Sequence, residues 1–213
     1  MSETDESDGS FLLLSPTISV VTTVDAEHLD YYRDLEHIKQ AFCQFINSVP
    51  FYGCSVLCLD QPNIQSLLPQ ITRRFITYGM TEPADYRARE VHFTGTRSHF
   101  EILRAGHSVG HFPLNLPGLH NVYNAMAAIA VGIELDVPVP TMAQALQEFS
   151  GIHRRFEVLG QRRGVTVVDD YGHHPEEIRQ TLRAAKSVWP AQRLVVLFQP
   201  HRYTRTQFLQ QEF

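Results

Sequence analysis

The chain has 213 residues, 43% of them hydrophobic, with a formal charge of -5 and a pI near 6.1. That supplies enough apolar residue for a real core and is long for one average domain, so one complete domain plus part of another is expected. The acidic balance leaves no basic footprint for nucleic acid, no apolar run approaches the roughly 18 residues of a membrane span, and the polar opening MSETDESDGS does not read as a signal peptide.

Residues 17–24, TISVVTTV, read as a buried strand, because β-branched residues fill a short apolar run after Pro16. Leu35, Ile38, Phe42, Phe45, Ile46 and Val49 then recur at helical spacing, ending before Pro50 and Gly53. CSVLCL (54–59) is a strand that stops at the turn signal Asp60-Gln61-Pro62, followed by a short helix over 64–71 and a strand near 75–78. Cys43, Cys54 and Cys58 form neither a CxxC pair nor an even framework, which suits thiols in a reducing, cytoplasmic compartment.

From Tyr86 to Leu116 the runs REVHF, HFEILRA and HSVGHFPLNL alternate between turn residues and predict antiparallel strands. An Ala-rich helix follows over LPGLHNVYNAMAAIAVGIEL, and a second over TMAQALQEFS, expected to be capped by Thr141. Beyond Gly151 the alternation restarts. RFEVLG and VTVVDDY are strands, PEEIRQTLRAAKSVW is a helix with Pro175 in its first turn, RLVVLF is a strand, and TRTQFLQQEF is a helix without a stop signal, so Phe213 is expected to lie inside a second α/β domain.

Three polar clusters sit just past strand ends, where ligands bind in open α/β sheets: the group at 25–28, DDYGHH at 169–174, and QPHRYTR at 199–205. His28 is either a surface or helix-capping histidine, or a metal ligand served by the acids Glu3, Asp5, Glu6 and Asp8 ahead of its strand. Asn121 either caps its helix or joins Asn124, three residues on, to read the edge of a purine. Arg202 and Arg205, beside His201, form a fork-rich pair suited to carboxylate or phosphate. Asp169 and Asp170 would repel unless a cation or donors lie nearby. No GxxxxGK[ST] segment, HExxH, GxSxG or CxxC occurs, and the only lysines, Lys39 and Lys186, do not follow glycines.

Taken in order, ETDESDGSFLLLSP, VVTTVDAEHLD, LPGLHNVYNAMAA, GIHRRFEVLG, VVDDYGHHPEEI and FQPHRYTRT resemble the Mur ligases of peptidoglycan synthesis, nearly throughout the chain. The resemblance implies an α/β chain: residues 1–152 as the later part of a mostly parallel-sheet ATPase domain with an antiparallel segment, and residues 153–213 as the start of a Rossmann-like domain. It implies ATP-dependent ligation of L-alanine to UDP-N-acetylmuramate through an acyl phosphate, with ATP and Mg2+ as cofactors, no nucleic acid and no membrane. By the same resemblance Glu3 and His28 match metal ligands, and Asn121, Asn124, Arg155 and Asp170 match ATP contacts. Tyr171, His173, His201, Arg202 and Arg205 match substrate contacts, with His173, Arg202 and Arg205 as the catalytic set. The family's TNI-x-x-DH stands here as TTVDAEH, with Thr23 and Glu27 at the differing positions. A GTHGKT-type phosphate loop is expected ahead of Met1, so the chain alone is expected to be inactive; the alternatives are a non-catalytic binding or regulatory module, or half of a split ligase.

Overall fold

The computed structural model describes residues 2–29 and 31–213. Six strands form one sheet in the order β1 (Ile18–Val21), β2 (Cys54–Cys58), β3 (Phe75–Gly79), β4 (Tyr86–Thr94), β5 (Arg97–Arg104) and β6 (His107–Leu114). The first three pairings are parallel, with Ile18 opposite Cys54 and Ser55 opposite Phe75. Two-residue connections join β4 to β5 and β5 to β6, a length that only antiparallel neighbours can use. The mostly parallel sheet with an antiparallel segment is therefore as expected.

All five residues of β2 are buried, the pattern of a central strand with neighbours on both edges and cover on both faces. Ser19 and Ser55 face each other at its centre, and burial of two hydroxyls is tolerated because they bond at 2.7 Å while Ser55 Oγ also donates to the Ile46 carbonyl. α1 (Leu35–Ile46) starts at Asp34, whose carboxylate accepts the His37 N–H at 3.0 Å. Its apolar face buries Ile38, Ala41, Phe45 and Ile46. α2 spans Pro62–Leu67, and α3 (Leu119–Glu134) follows the meander. α4 runs from Val139 to Glu148, so Thr141 lies inside the first turn rather than at the cap; Pro140 is pre-set for an early helical position and moves the start back.

β7 (Glu157–Arg162) and β8 (Val165–Asp169) form an antiparallel hairpin with a bulge at Val158/Gly160. α5 (Pro175–Val188) carries Ala184 and Ala185 into a small core with Phe156, whose ring stacks on Trp189 at 6.0 Å. The strand expected over RLVVLF is not formed. Among the described residues 193–198 take no ladder partner, and Leu197 is 98% exposed. An apolar β-branched run becomes a strand only where its backbone groups are taken up by a neighbouring edge, and in this structure it is docked on neither edge of the β7–β8 pair. α6 (Tyr203–Phe208) is shorter than the predicted helix.

By compactness the chain forms two units: Met1–Arg89 with Glu101–Gly110 and Tyr123–Val139, and Glu90–Phe100 with His111–Val122 and Pro140–Phe213.

Candidate functional site

In the first unit, the acidic stretch before β1 is held by its neighbours. Phe11 is buried with its ring against Phe42 and Phe45 of α1, and Tyr32 donates its hydroxyl to the Glu6 carbonyl at 2.8 Å. Burial is the main reason that Tyr32 is pushed up to about 12, so the hydroxyl stays a donor. Asp5 and Asp8 close local turns by accepting the Ser7 and Ser10 N–H groups.

That anchoring delivers Glu6 to His28. His28 Nε2 lies 3.5 Å from Glu6 and 3.6 Å from Glu27, and one ligand atom from each of the three falls within 4.8 Å of the others. Glu3, the expected carboxylate, is outside this group, and Glu6 lies within it. The acids of ETDESD are too closely spaced for sequence to choose among them; the Tyr32 contact holds the Glu6 backbone near His28. His28 takes a positive φ of 52°, and its Nδ1 is buried without a hydrogen-bond partner among the described residues. Two carboxylates suit a hard divalent cation that keeps water and phosphate oxygens in its other positions, and the imidazole adds a borderline donor, so the set fits Mg2+ or Mn2+.

Asn121 and Asn124 lie three apart on α3. Asn121 is half-buried and donates its amide to the Pro117 carbonyl at 2.7 Å, so it does cap-like work, while Asn124 is exposed. Between them Tyr123 donates to Asp60 at 2.7 Å.

In the second unit the 169–177 loop is built by its own acids. Asp170 accepts the Phe156 N–H at 2.9 Å on one oxygen and the Gly172 N–H at 2.7 Å on the other, closing the loop onto the start of β7. Asp169 faces Arg154 at 3.4 Å, which supplies the cation that two adjacent carboxylates require. Arg154 also lies 4.8 Å over the Tyr171 ring, which meets His173 edge-on at 5.2 Å, and His173 is 6.5 Å from the His201 ring. Tyr171, His173 and His201 are thus brought into one aromatic row. His174 is buried and serves structure: its Nδ1 accepts the Glu176 N–H at the start of α5.

Glu177 completes a capping box and does more. One of its oxygens accepts the His173 and His174 N–H groups at 2.9 and 3.1 Å, and the other accepts Arg155 at 3.2 Å. Burial pushes its carboxyl up, yet those donors and the His173 charge outweigh burial and hold it below the usual carboxylate range. Arg202 begins α6 with a φ of 67° and is exposed, and Arg205 is half-buried, its guanidinium 3.5 Å from the His201 carbonyl.

With this geometry in place, two family matches divide the chain: the Mur ligase middle domain over residues 1–132 and the Mur ligase glutamate ligase domain over residues 154–213. The chain belongs to the Mur ligase family. Over its full length it is 53% identical to the UDP-N-acetylmuramate--L-alanine ligase of Desulfotalea psychrophila and 54% identical to that of Syntrophotalea carbinolica, and spans 46% of each. The crystal structure of the UDP-N-acetylmuramate-alanine ligase MurC of Thermotoga maritima superposes with a TM-score of 0.79 at 30% identity, over 97% of this chain and 46% of that one. A murein peptide ligase of Psychrobacter arcticus gives 0.63 at 25%, over 90% of this chain and 39% of that one. This Mur ligase chain is therefore matched end to end while spanning about half the length of its relatives. None of its helices, among the described residues, is long and apolar enough to cross a membrane.

Proposed function

We propose that this chain contributes the later part of the nucleotide domain, residues 1–152, and the start of the amino-acid domain, residues 153–213, to an enzyme that joins L-alanine to UDP-N-acetylmuramate using ATP. The full-length identity of 53–54% to relatives bearing that name carries the reading, and the family matches at 1–132 and 154–213 support the boundary. The nucleotide-linked precursor and three free thiols suit a cytoplasmic reaction.

A carboxylate is a poor electrophile. Phosphorylation of the lactyl carboxylate by ATP gives an acyl phosphate, the amino group of L-alanine attacks its carbonyl carbon, and phosphate leaves as the amide forms. Catalysis of such transfers rests on positioning and on charges aimed at the transferring group. Asn121 and Asn124 are assigned to the adenine, and Arg155 and Asp170 to the nucleotide from the second unit. Since both oxygens of Asp170 already accept backbone N–H groups, its nucleotide contact would use remaining lone pairs while the carboxylate keeps the loop closed. Tyr171 and the His173–His201 row would hold L-alanine, with Arg202 and Arg205 on the reacting carboxyl and phosphoryl oxygens. Glu6, Glu27 and His28 would hold Mg2+, which when bound neutralises phosphate charge.

The test combines this chain with the remaining part of the Desulfotalea psychrophila relative and measures ADP release that requires both UDP-N-acetylmuramate and L-alanine. Dependent release supports the ligase reading. Nucleotide or L-alanine binding without turnover moves the assignment to a binding or regulatory module.

A further inference from the structure

The carboxylate of Glu177 stands between two sets of contacts that the reaction needs together. Its two oxygens are divided: one takes the backbone N–H groups of His173 and His174, the other takes the Arg155 guanidinium. His173 Nδ1 is also 3.5 Å from the first oxygen. We infer that Glu177 is a positioning residue that makes the Arg155 side chain and the His173–His174 backbone move as one body, so that engagement of the nucleotide sets the amino-acid loop. The inference rests on the ligase reading for what the two sides bind, and on geometry alone for the linkage between them.

The division of labour follows from chemistry. An N3 glutamate or glutamine can close a capping box, so the helix start by itself needs only one acceptor oxygen. The second oxygen and the full charge are surplus to capping, and they are spent on Arg155. Bonds to an ionised partner are the stronger kind and carry geometric constraint, so a shift of the guanidinium is passed to the carboxylate. Gly172 lets the loop run close against both acids, since a Cβ there would sit 2.7 Å from the Asp170 carboxylate and 3.6 Å from Glu177 Cβ. Asp170 and Glu177 tie down the two ends of the loop through backbone N–H groups, which gives a movement of Arg155 a direct route to it.

A double-substitution cycle on the 15N-labelled chain tests this without any turnover. Arg155→Gln is expected to displace the His173 and His174 backbone amide resonances in the chain carrying Glu177, and to leave them in place once Glu177→Gln is present. Equal displacement in both backgrounds, or none in the first, overturns the inference. Should Glu177→Gln not fold, Glu177→Asp, which is too short to reach both partners, closes the same cycle. In the assembled ligase, Arg155→Gln should raise KM for L-alanine about three- to tenfold with Glu177 present and no further in the Glu177→Gln background; an additive rise overturns it. A wild-type assembly that never turns over removes the functional reading and leaves the amide cycle to decide the linkage.

Discussion

Tyr123 donates its hydroxyl to Asp60 at 2.7 Å, fastening the helix that carries Asn124 to the turn after β2. The same carboxylate accepts the Met80 N–H at 2.5 Å and the Thr81 hydroxyl at 2.6 Å, so one acid closes two loops onto a helix. Gly79 leaves room for it: a Cβ there would lie 2.6 Å from Asp60 Oδ1. Burial pushes the Asp60 carboxyl up, but the donors from Met80, Thr81 and Tyr123 hold it below the usual range. A depressed folded value means stability present above the unfolded pKa of about 3.9 and lost as pH falls through the folded value. Tyr123→Phe is expected to cost about 1 kcal/mol and Asp60→Ala about 3 kcal/mol, because the latter strands several donors. Urea unfolding from pH 3 to 7 checks both, and Asp60→Asn should flatten the acid limb below about pH 4.

In the cluster that could hold a metal, the carboxylates near His28 are Glu6 and Glu27, and Glu3 is outside it. Mn2+ serves as the probe, followed by its electron paramagnetic resonance signal. Glu6→Gln and His28→Ala should each weaken binding by at least the about tenfold that loss of even an outer-sphere partner produces. Glu3→Gln should leave the binding curve where it was. A Glu3 variant as damaging as the Glu6 variant would return the site to the other acid.

His120 is a proton-linked stability site. Its ring packs so closely on Gly118 that a Cβ there would sit 2.7 Å from His120 Cε1 and 3.1 Å from Ala184 Cβ, while Gly118 holds a φ of 93°. Both effects oppose Gly118→Ala, which should cost about 2 kcal/mol or more. Burial, joined by Arg155 and opposed by Asp170, holds the His120 pKa below the ordinary 6.5. The unfolded chain therefore takes the proton first, and the stability contributed by neutral His120 is lost as pH falls below about 6.5. Thermal melts from pH 5 to 8 should show that slope, and His120→Gln should remove it.

Much of the architecture is legible along the chain because it is written in local signals. The β-branched run at 17–24, the helical spacing from Leu35 to Ile46 and the turn residues between Tyr86 and Leu116 each correspond to an observed element. What is not legible depends on contacts distant in sequence. Glu6 is placed by contacts with Tyr32, 26 residues on, and with His28. The loop-closing role of Asp170 depends on Phe156, 14 residues back. Glu177 stands three residues after His174, a spacing that sequence reading passed over, and its second oxygen finds Arg155 across 22 residues. The RLVVLF run departs from expectation for the same reason, since propensity describes a residue's fitness for a strand and says nothing of whether the run docks on an edge.

That run yields the last prediction. Val195, Val196 and Leu197 are exposed, Leu194 and Phe198 are each 39% exposed, and the stretch holds no charge, proline or glycine between Arg193 and Gln199. A short uncharged β-prone segment with unpaired backbone is a template for pairing with other chains. The chain is therefore expected to self-associate through 194–198 in a concentration-dependent way. Leu197→Asp places a charge on the most exposed position and should lower light scattering at a given concentration, since a buried carboxylate in a strand-to-strand contact is costly. A conservative Leu197→Val should leave the scattering unchanged. If the aspartate variant scatters as strongly as the parent, association runs through another surface, and the exposed pair Phe51–Tyr52, with rings 5.2 Å apart, is the next to substitute.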